Sequence, residues 1–245
     1  MEALSSPEFW IAVGQIIMID ILLGGDNAVV IALACRQLPP AQRTKGIIWG
    51  TAGAIVLRVI LIFFALTLLA IPYLKLVGAI LLVWIGIKLL APDEDGHGDI
   101  QASDKLWAAV KTVIVADLVM SVDNVIAIAG AAESAGQHQM GLVIFGLLVS
   151  IPIIVWGSQL VIKLMDRFPF IITAGGMLLG WIAGTMAVTD PAVLPYLTTT
   201  PALKPGGLPE TTDAIRYGAG VAGALLVLAI GMWVKRRRSP ETAAS

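Results

Sequence analysis

Seven apolar stretches, each long enough to cross a lipid bilayer, limit what this chain can fold into. A membrane-spanning helix needs roughly 20 mostly apolar residues, and its backbone polar groups must find partners within the segment. We place the stretches at 9–35, 47–71, 74–91, 107–132, 141–162, 170–188 and 215–234. The sequence therefore predicts an all-α integral membrane protein with seven transmembrane helices, forming a single membrane domain over residues 1–245.

Composition supports this class and excludes several others. The chain is 58% hydrophobic and 13% charged, whereas soluble domains are about 45–50% apolar and about 25% charged. The lipid bilayer is thus a predicted partner, and a formal net charge of −1 gives no reason to expect nucleic acid. The single cysteine, Cys35, excludes a disulfide within the chain. Both histidines, His97 and His138, lie in polar stretches, which excludes a histidine-based centre inside the membrane.

The distribution of Lys and Arg predicts the orientation. Most of the 16 basic residues lie in the connections after the first, third and fifth helices and in the C-terminal tail. By the positive-inside rule, the N-terminus is outside the cell membrane and the C-terminus is cytoplasmic. We therefore predict a cytosolic acidic loop at 92–106, an extracytoplasmic Pro/Thr-rich loop at 189–214 and a basic cytosolic tail at 235–245.

A sixteen-residue motif occurs twice. "DILLGGDNAVVIALAC" (20–35) corresponds to "DLVMSVDNVIAIAGAA" (117–132) at an offset of 97, and 71–86 matches 168–183 at the same offset. The middle helices match more weakly, at an offset of 96. We interpret 9–91 and 107–188 as two copies of a three-helix unit, with 215–234 as a seventh helix. Because three is odd, the second copy enters the membrane from the opposite side, which is typical of transporters with a midplane site.

Each copy of the motif carries two aspartates and an asparagine inside an apolar helix. An intramembrane charge costs at least about 2.5 kcal/mol, so these residues are candidates for function. Residues seven apart share a helix face, whereas the two aspartates of one copy are six apart and diverge. Adjacent glycines in the first copy would let the helix unwind and turn the second aspartate inward. The candidate metal ligands are Asp20, Asp26, Asn27, Asp117, Asp123 and Asn124, and the unwinding glycines are Gly24 and Gly25.

Carboxylate and amide oxygens suit hard divalent cations such as Mg²⁺, Ca²⁺ or Mn²⁺. Without a cation, four clustered carboxylates repel one another and hold protons, and a metal ion displaces those protons. The sequence thus favours a site that binds a metal ion or protons as substrates and needs no cofactor.

Structural interpretations stand beside these functional ones. An intramembrane Asp–Asn pair can hold helices together. Met120 fits a core position better than a soft metal ligand, and the Ser121 hydroxyl can replace a lost backbone bond in the second copy, which lacks the glycine pair. Arg58, inside the second helix, is expected to face the bundle interior and pair with a carboxylate, with a direct transport role as the alternative.

The paired "GGDN" and "SVDN" helices in a seven-helix chain resemble the TerC family of integral membrane proteins, over about residues 9–235. Its YjbE-like metal-transport branch is the most similar. The resemblance implies membership of the LysE-type transporter superfamily and manganese efflux. It carries the family's acidic positions onto Asp20, Asp26, Asp117 and Asp123, with Asn27 and Asn124 beside them. It implies no tellurite role, and the oligomeric state is left open.

Two other functions compete with transport. An intramembrane aspartyl protease would use two aspartates, and "LGGD" with "PAL" (201–203) fits its motifs superficially. However, Leu23 replaces a required glycine, and "PAL" lies well before the last helix, so we predict that the chain is not an enzyme. A membrane-protein assembly or interaction factor is the second alternative, which nothing in the sequence excludes.

Overall fold

The computed structural model describes residues 14, 18, 25–64, 71–91, 102–133, 139–197, 199–200 and 210–238. For residues 63, 102, 123–133, 139–143, 146, 199–200, 210 and 238 it describes the backbone alone. The described backbone is almost entirely helical, which confirms the predicted all-α class. The helices are α1 (Gly25–Cys35), α2 (Pro40–Phe63), α3 (Leu74–Leu90), α4 (Ala102–Glu133), α5 (Gln139–Arg167), α6 (Phe170–Ala187) and α7 (Asp213–Arg238).

Several helices extend beyond the apolar stretches that predict them. α2 begins at Pro40 rather than near residue 47, because proline suits the first turn of a helix and Gln42, Arg43 and Lys45 are good helix formers. α7 likewise continues into the predicted tail, as far as Arg238. The connection between α6 and α7 contains a short 3-10 helix (Leu194–Tyr196) and an antiparallel pair of two-residue strands, β1 (Thr199–Thr200) and β2 (Glu210–Thr211).

Four of the described helices are long and apolar enough to cross a membrane. A membrane-spanning role therefore has structural support for more than half of the seven predicted spans. The number seven stays a prediction, and the acidic loop at 92–101 and the tail beyond residue 238 lie outside the described residues. The four spans are Pro40–Ile62, Leu147–Arg167, Phe170–Ala187 and Asp213–Arg237.

The chain forms two compact units. Unit 1 comprises residues 1–66 and 101–164, and unit 2 comprises residues 67–100 and 165–245. Each unit thus combines helices from both predicted repeats.

In unit 1, α2 packs closely against α4 along a line of small residues on α2. A Cβ added at Gly50 would lie 3.0 Å from Cγ1 of Val113, and one at Gly53 would lie 2.5 Å from Cδ1 of Ile114. Small residues allow helix backbones to approach in this way. The order of these contacts shows that α2 and α4 run parallel.

One end of unit 1 carries several basic residues, and we call it the basic end. There the Sγ of Cys35, at the end of α1, and Cδ1 of Leu106, near the start of α4, both lie beside Gly46 of α2. Arg43 closes the turn between α1 and α2, because its Nη2 donates to the carbonyl oxygen of Arg36 at 3.0 Å. α1 therefore ends where α2 and α4 begin. The basic residues next to the three contact positions in sequence are Arg36, Lys45 and Lys105.

In unit 2, α6 packs against both α3 and α7. Its contacts with α7 bring backbone against backbone, because a Cβ added at Gly184 would overlap the carbonyl oxygen of Ala219. On the α3 side, the side chain of Leu90 covers Gly176, and Gly86 lies beside Leu179. The order of these contacts shows that α3 and α6 run antiparallel.

The connection after α6 holds the start of α3 through Asp190, which is completely buried. Its Oδ1 accepts hydrogen bonds from the backbone N–H groups of Tyr73 at 2.9 Å and Ala192 at 2.8 Å, and its Oδ2 accepts one from Leu76 at 3.1 Å. Tyr73 has a left-handed backbone, with φ of 68°. Burial of the carboxyl opposes ionisation, but these N–H donors outweigh it and hold the pKa of Asp190 below its usual value.

Candidate functional site

The Asp26–Asn27 pair lies near the start of the described part of α1. Asp26 is half-buried, and its Oδ1 accepts the backbone N–H of Asn27 at 2.8 Å. The Asn27 side chain is buried, yet neither Oδ1 nor Nδ2 of its amide has a hydrogen-bond partner among the described residues. An unpaired buried polar group costs about 1–3 kcal/mol. Such a group in a native structure calls for an explanation, and a ligand is one.

Arg58, Asp117 and Ser121 form a closed hydrogen-bonded triad between α2 and α4, and all three are buried. Arg58 Nη2 donates to Asp117 Oδ1 at 2.5 Å, and Arg58 Nε donates to Ser121 Oγ at 3.1 Å. Ser121 Oγ donates in turn to Asp117 Oδ2 at 3.0 Å. The predicted pairing of Arg58 with a carboxylate is thus confirmed. Each oxygen of Asp117 already accepts a hydrogen bond.

Asp26 lies close enough to this triad to interact electrostatically with both Arg58 and Asp117. The structure therefore brings together an acidic residue of the first motif copy and one of the second. With both aspartates ionised, these three side chains carry a net charge of −1. A cation approaching Asp26 would thus meet net negative charge even though Arg58 is present.

Asp26, Arg58 and Asp117 lie at similar distances from the basic end. With a rise of 1.5 Å per residue, Asp26, Arg58 and Asp117 are about 14, 18 and 17 Å from the basic end along their own helices. The three residues therefore lie at about the same level along unit 1.

A family model described as "Integral membrane protein TerC family" matches residues 5–239, nearly the whole chain. The chain belongs to the TerC family. This confirms the resemblance seen in its Asp-Asn motifs and, with the four apolar spans, makes it a multi-pass integral membrane protein.

Proteins similar to this chain include three whose names describe them only as membrane proteins. The uncharacterized membrane protein YjbE of Bacillus subtilis is 44% identical over 183 residues, covering 75% of this chain and 82% of that protein. YceF of the same organism is 28% identical, covering 76% and 74%. The inner membrane protein YgdQ of Escherichia coli is 23% identical, covering 68% and 75%. No solved structure matches this chain.

The structure describes only part of the site predicted for this TerC-family chain. Asp20 and Gly24 lie outside the described residues, and the side chains of Asp123 and Asn124 do too, although their backbone belongs to α4. Gly25 is helical, and α4 is continuous through Met120, which is buried. Among the side chains that the structure describes, no three His, Cys, Asp or Glu residues form a group that could hold a metal ion.

Sequence reasoning missed two buried hydroxyls in unit 1. Thr51 on α2 and Ser158 on α5 are almost fully buried, and their oxygens have no hydrogen-bond partner within the described part of the chain. Gly157 lies beside Ala28 of α1, so Ser158 belongs to the part of α5 that faces the Asp-Asn motif helix. The signal was a single hydroxyl next to glycine in an apolar helix, in "WGTAG" (49–53) and "WGSQ" (156–159).

Proposed function

We propose that this chain is a divalent metal-ion transporter that exports Mn²⁺ in exchange for protons. The ion binds at the midplane, between the paired Asp-Asn motifs of α1 and α4. The protein lies in the cell membrane with its N-terminus outside and its C-terminus in the cytoplasm.

The observation that carries this proposal is the unpaired amide of Asn27 beside Asp26. A packing role for the motif would give the buried amide a hydrogen-bond partner on a neighbouring helix. Among the described residues its oxygen has no partner, so it can bind a ligand next to a half-buried carboxylate. A carboxylate and an amide oxygen together form part of the ligand set that hard divalent cations prefer.

Helix directions support an inverted repeat. In unit 1, α1 runs towards the basic end while α4 runs away from it, so the two motif helices are antiparallel. In unit 2, α3 and α6, the third helices of the two predicted copies, are also antiparallel. An inverted three-plus-three repeat requires opposite directions for each pair of equivalent helices. The site then lies where the two copies meet.

Export needs coupling to a second ion. Moving a divalent cation outward against 100 mV, inside negative, costs about 4.6 kcal/mol, twice the cost for one charge. Inward proton movement through carboxylates that bind either metal or protons would supply this energy. Manganese and the outward direction follow the role that the TerC resemblance implies, because oxygen ligands alone also accept Mg²⁺ and Ca²⁺.

We propose no enzymatic activity. An aspartyl protease needs two carboxyl groups that share one proton, whereas both oxygens of Asp117 are engaged by Arg58 and Ser121. A role in membrane-protein assembly has no comparable site in the part of the chain that the structure describes.

The proposal is tested by proton flux into liposomes that contain the purified protein, with Mn²⁺, Mg²⁺ or Ca²⁺ supplied in turn. Asp26→Asn and Asp123→Asn should each nearly abolish Mn²⁺-driven proton flux, because asparagine keeps the shape of the side chain but removes the charge. Asp20→Asn should have a smaller effect if that residue lies outside the immediate ligand set.

Asp104→Asn is the matched control, because Asp104 is exposed in the first turn of α4. It should transport like the wild type. Wild-type flux in both Asp26→Asn and Asp123→Asn would show that the duplicated motif serves packing, and the transport proposal would then lose its site.

A further inference from the structure

Asp117 is neutralised by a cation of the chain itself, the guanidinium of Arg58. Arg58 and Ser121 together contact both carboxylate oxygens, and all three side chains are almost completely shielded. A metal ion that binds Asp117 Oδ1 would lie next to the Arg58 guanidinium, and the two cations would repel each other there. Asp26, by contrast, is bound only by the N–H of its own neighbour among the hydrogen bonds described.

The two repeats differ at this point. By the offset of 96 that relates the middle helices, Ile154 of α5 is the residue equivalent to Arg58 of α2. Ile154 is a buried aliphatic residue, so the second copy has no basic side chain at the equivalent position. An inverted repeat with identical halves would offer two equivalent acidic pairs. Here, however, Arg58 neutralises Asp117 of the second copy.

We infer that Arg58 is a tethered counter-cation of the transport site, a role that rests on the proposed metal transport. It occupies Asp117 while no metal ion is bound and moves away from Asp117 when the ion arrives. A bare carboxylate at this depth would be costly, and the guanidinium removes that cost during the step in which the empty carrier returns. Arg58 and the metal ion therefore compete for Asp117, whose Oδ1 the guanidinium contacts.

Competition predicts that a metal ion can replace the missing guanidinium. We would measure the apparent Tm of the purified full-length chain in detergent, with and without saturating MnCl₂. Arg58→Gln leaves a buried charge unpaired, so it should lower the apparent Tm by roughly 6–20 °C. Saturating Mn²⁺ should restore most of this loss, and the shift should exceed that of the wild type several-fold.

Two further variants separate competition from a fixed structural pair. The double variant Arg58→Gln with Asp117→Asn removes both charges, so its apparent Tm should lie near that of the wild type and its Mn²⁺ shift should not exceed the wild-type shift. Arg58→Lys keeps the charge but cannot contact Asp117 and Ser121 at the same time as the guanidinium does. It should therefore fold, compete less strongly for Asp117 and bind Mn²⁺ with a Kd several-fold lower than the wild type.

The outcomes are distinguishable. Arg58→Gln with a lowered Tm but only a wild-type Mn²⁺ shift would show that the pair is permanent and would overturn the inference. If Arg58→Gln cannot be purified, an unchanged or raised Kd in Arg58→Lys would overturn it equally. A wild-type protein that shows no Mn²⁺ shift and no binding would refute the proposed transport of Mn²⁺, and the inference with it.

Discussion

Asp190→Asn should loosen the start of α3. Asp190 is completely buried and accepts three backbone N–H groups through its two oxygens. An amide has one oxygen, so at least one N–H faces an NH₂ group in either orientation and loses its acceptor. A hydrogen bond to a charged group contributes about 1.5–3 kcal/mol. Allowing for weaker bonds at the remaining oxygen, we expect a loss of roughly 2–4 kcal/mol, or roughly 4–16 °C in apparent Tm.

The loss should depend on pH, and its sign follows from the lowered pKa of Asp190. A group whose pKa is lower in the folded state contributes stability above its unfolded pKa of about 3.9. That contribution disappears as the pH falls through the folded pKa. The gap between wild type and Asp190→Asn should therefore be full at pH 6–8 and shrink below about pH 4.

Thermal unfolding followed by circular dichroism, in detergent across this pH range, measures both quantities. Asp213→Asn is the matched control, because Asp213 is exposed in the first turn of α7 and should cost less than about 1 kcal/mol. A gap of the same size at pH 3 and pH 7 would refute the charge-based account of Asp190. A gap no larger than that of the control would refute the capping role altogether.

Two further predictions concern packing and orientation. Gly184→Val should lower the free energy of unfolding by about 1–3 kcal/mol, because the new side chain meets the backbone of α7. Gly218→Ala should be neutral or stabilising, since nothing lies within 4 Å of a Cβ added there. Chemical denaturation compares the two variants, and equal effects would argue against the close helix contact. In a chain with its native cysteine replaced by serine, Lys45→Cys should react with an impermeant thiol reagent only after permeabilisation, and Arg216→Cys should react in intact cells. The reverse pattern would invert the proposed topology.

The positions of the helices could be read from the sequence because long apolar segments have few alternatives in a membrane. The predicted 74–91 and 170–188 correspond to Leu74–Leu90 and Phe170–Ala187. The start of α2 was missed, because hydropathy detects the part of a helix inside the hydrocarbon and misses a polar turn outside it. The duplicated Asp-Asn motif could likewise be found by its regular offset.

Pairing between distant residues was decided by the tertiary structure. Sequence analysis indicated that buried Arg58 needs a carboxylate, since an unpaired charge in hydrocarbon is costly, but several aspartates qualified. The close approach of α2 and α4 selected Asp117, fifty-nine positions away. The role of Asp190 left no signal in the sequence, because its partners are backbone N–H groups, which every residue except proline carries. Two of these groups lie more than 110 positions earlier. Only the packing of the helices determines which of these groups meet.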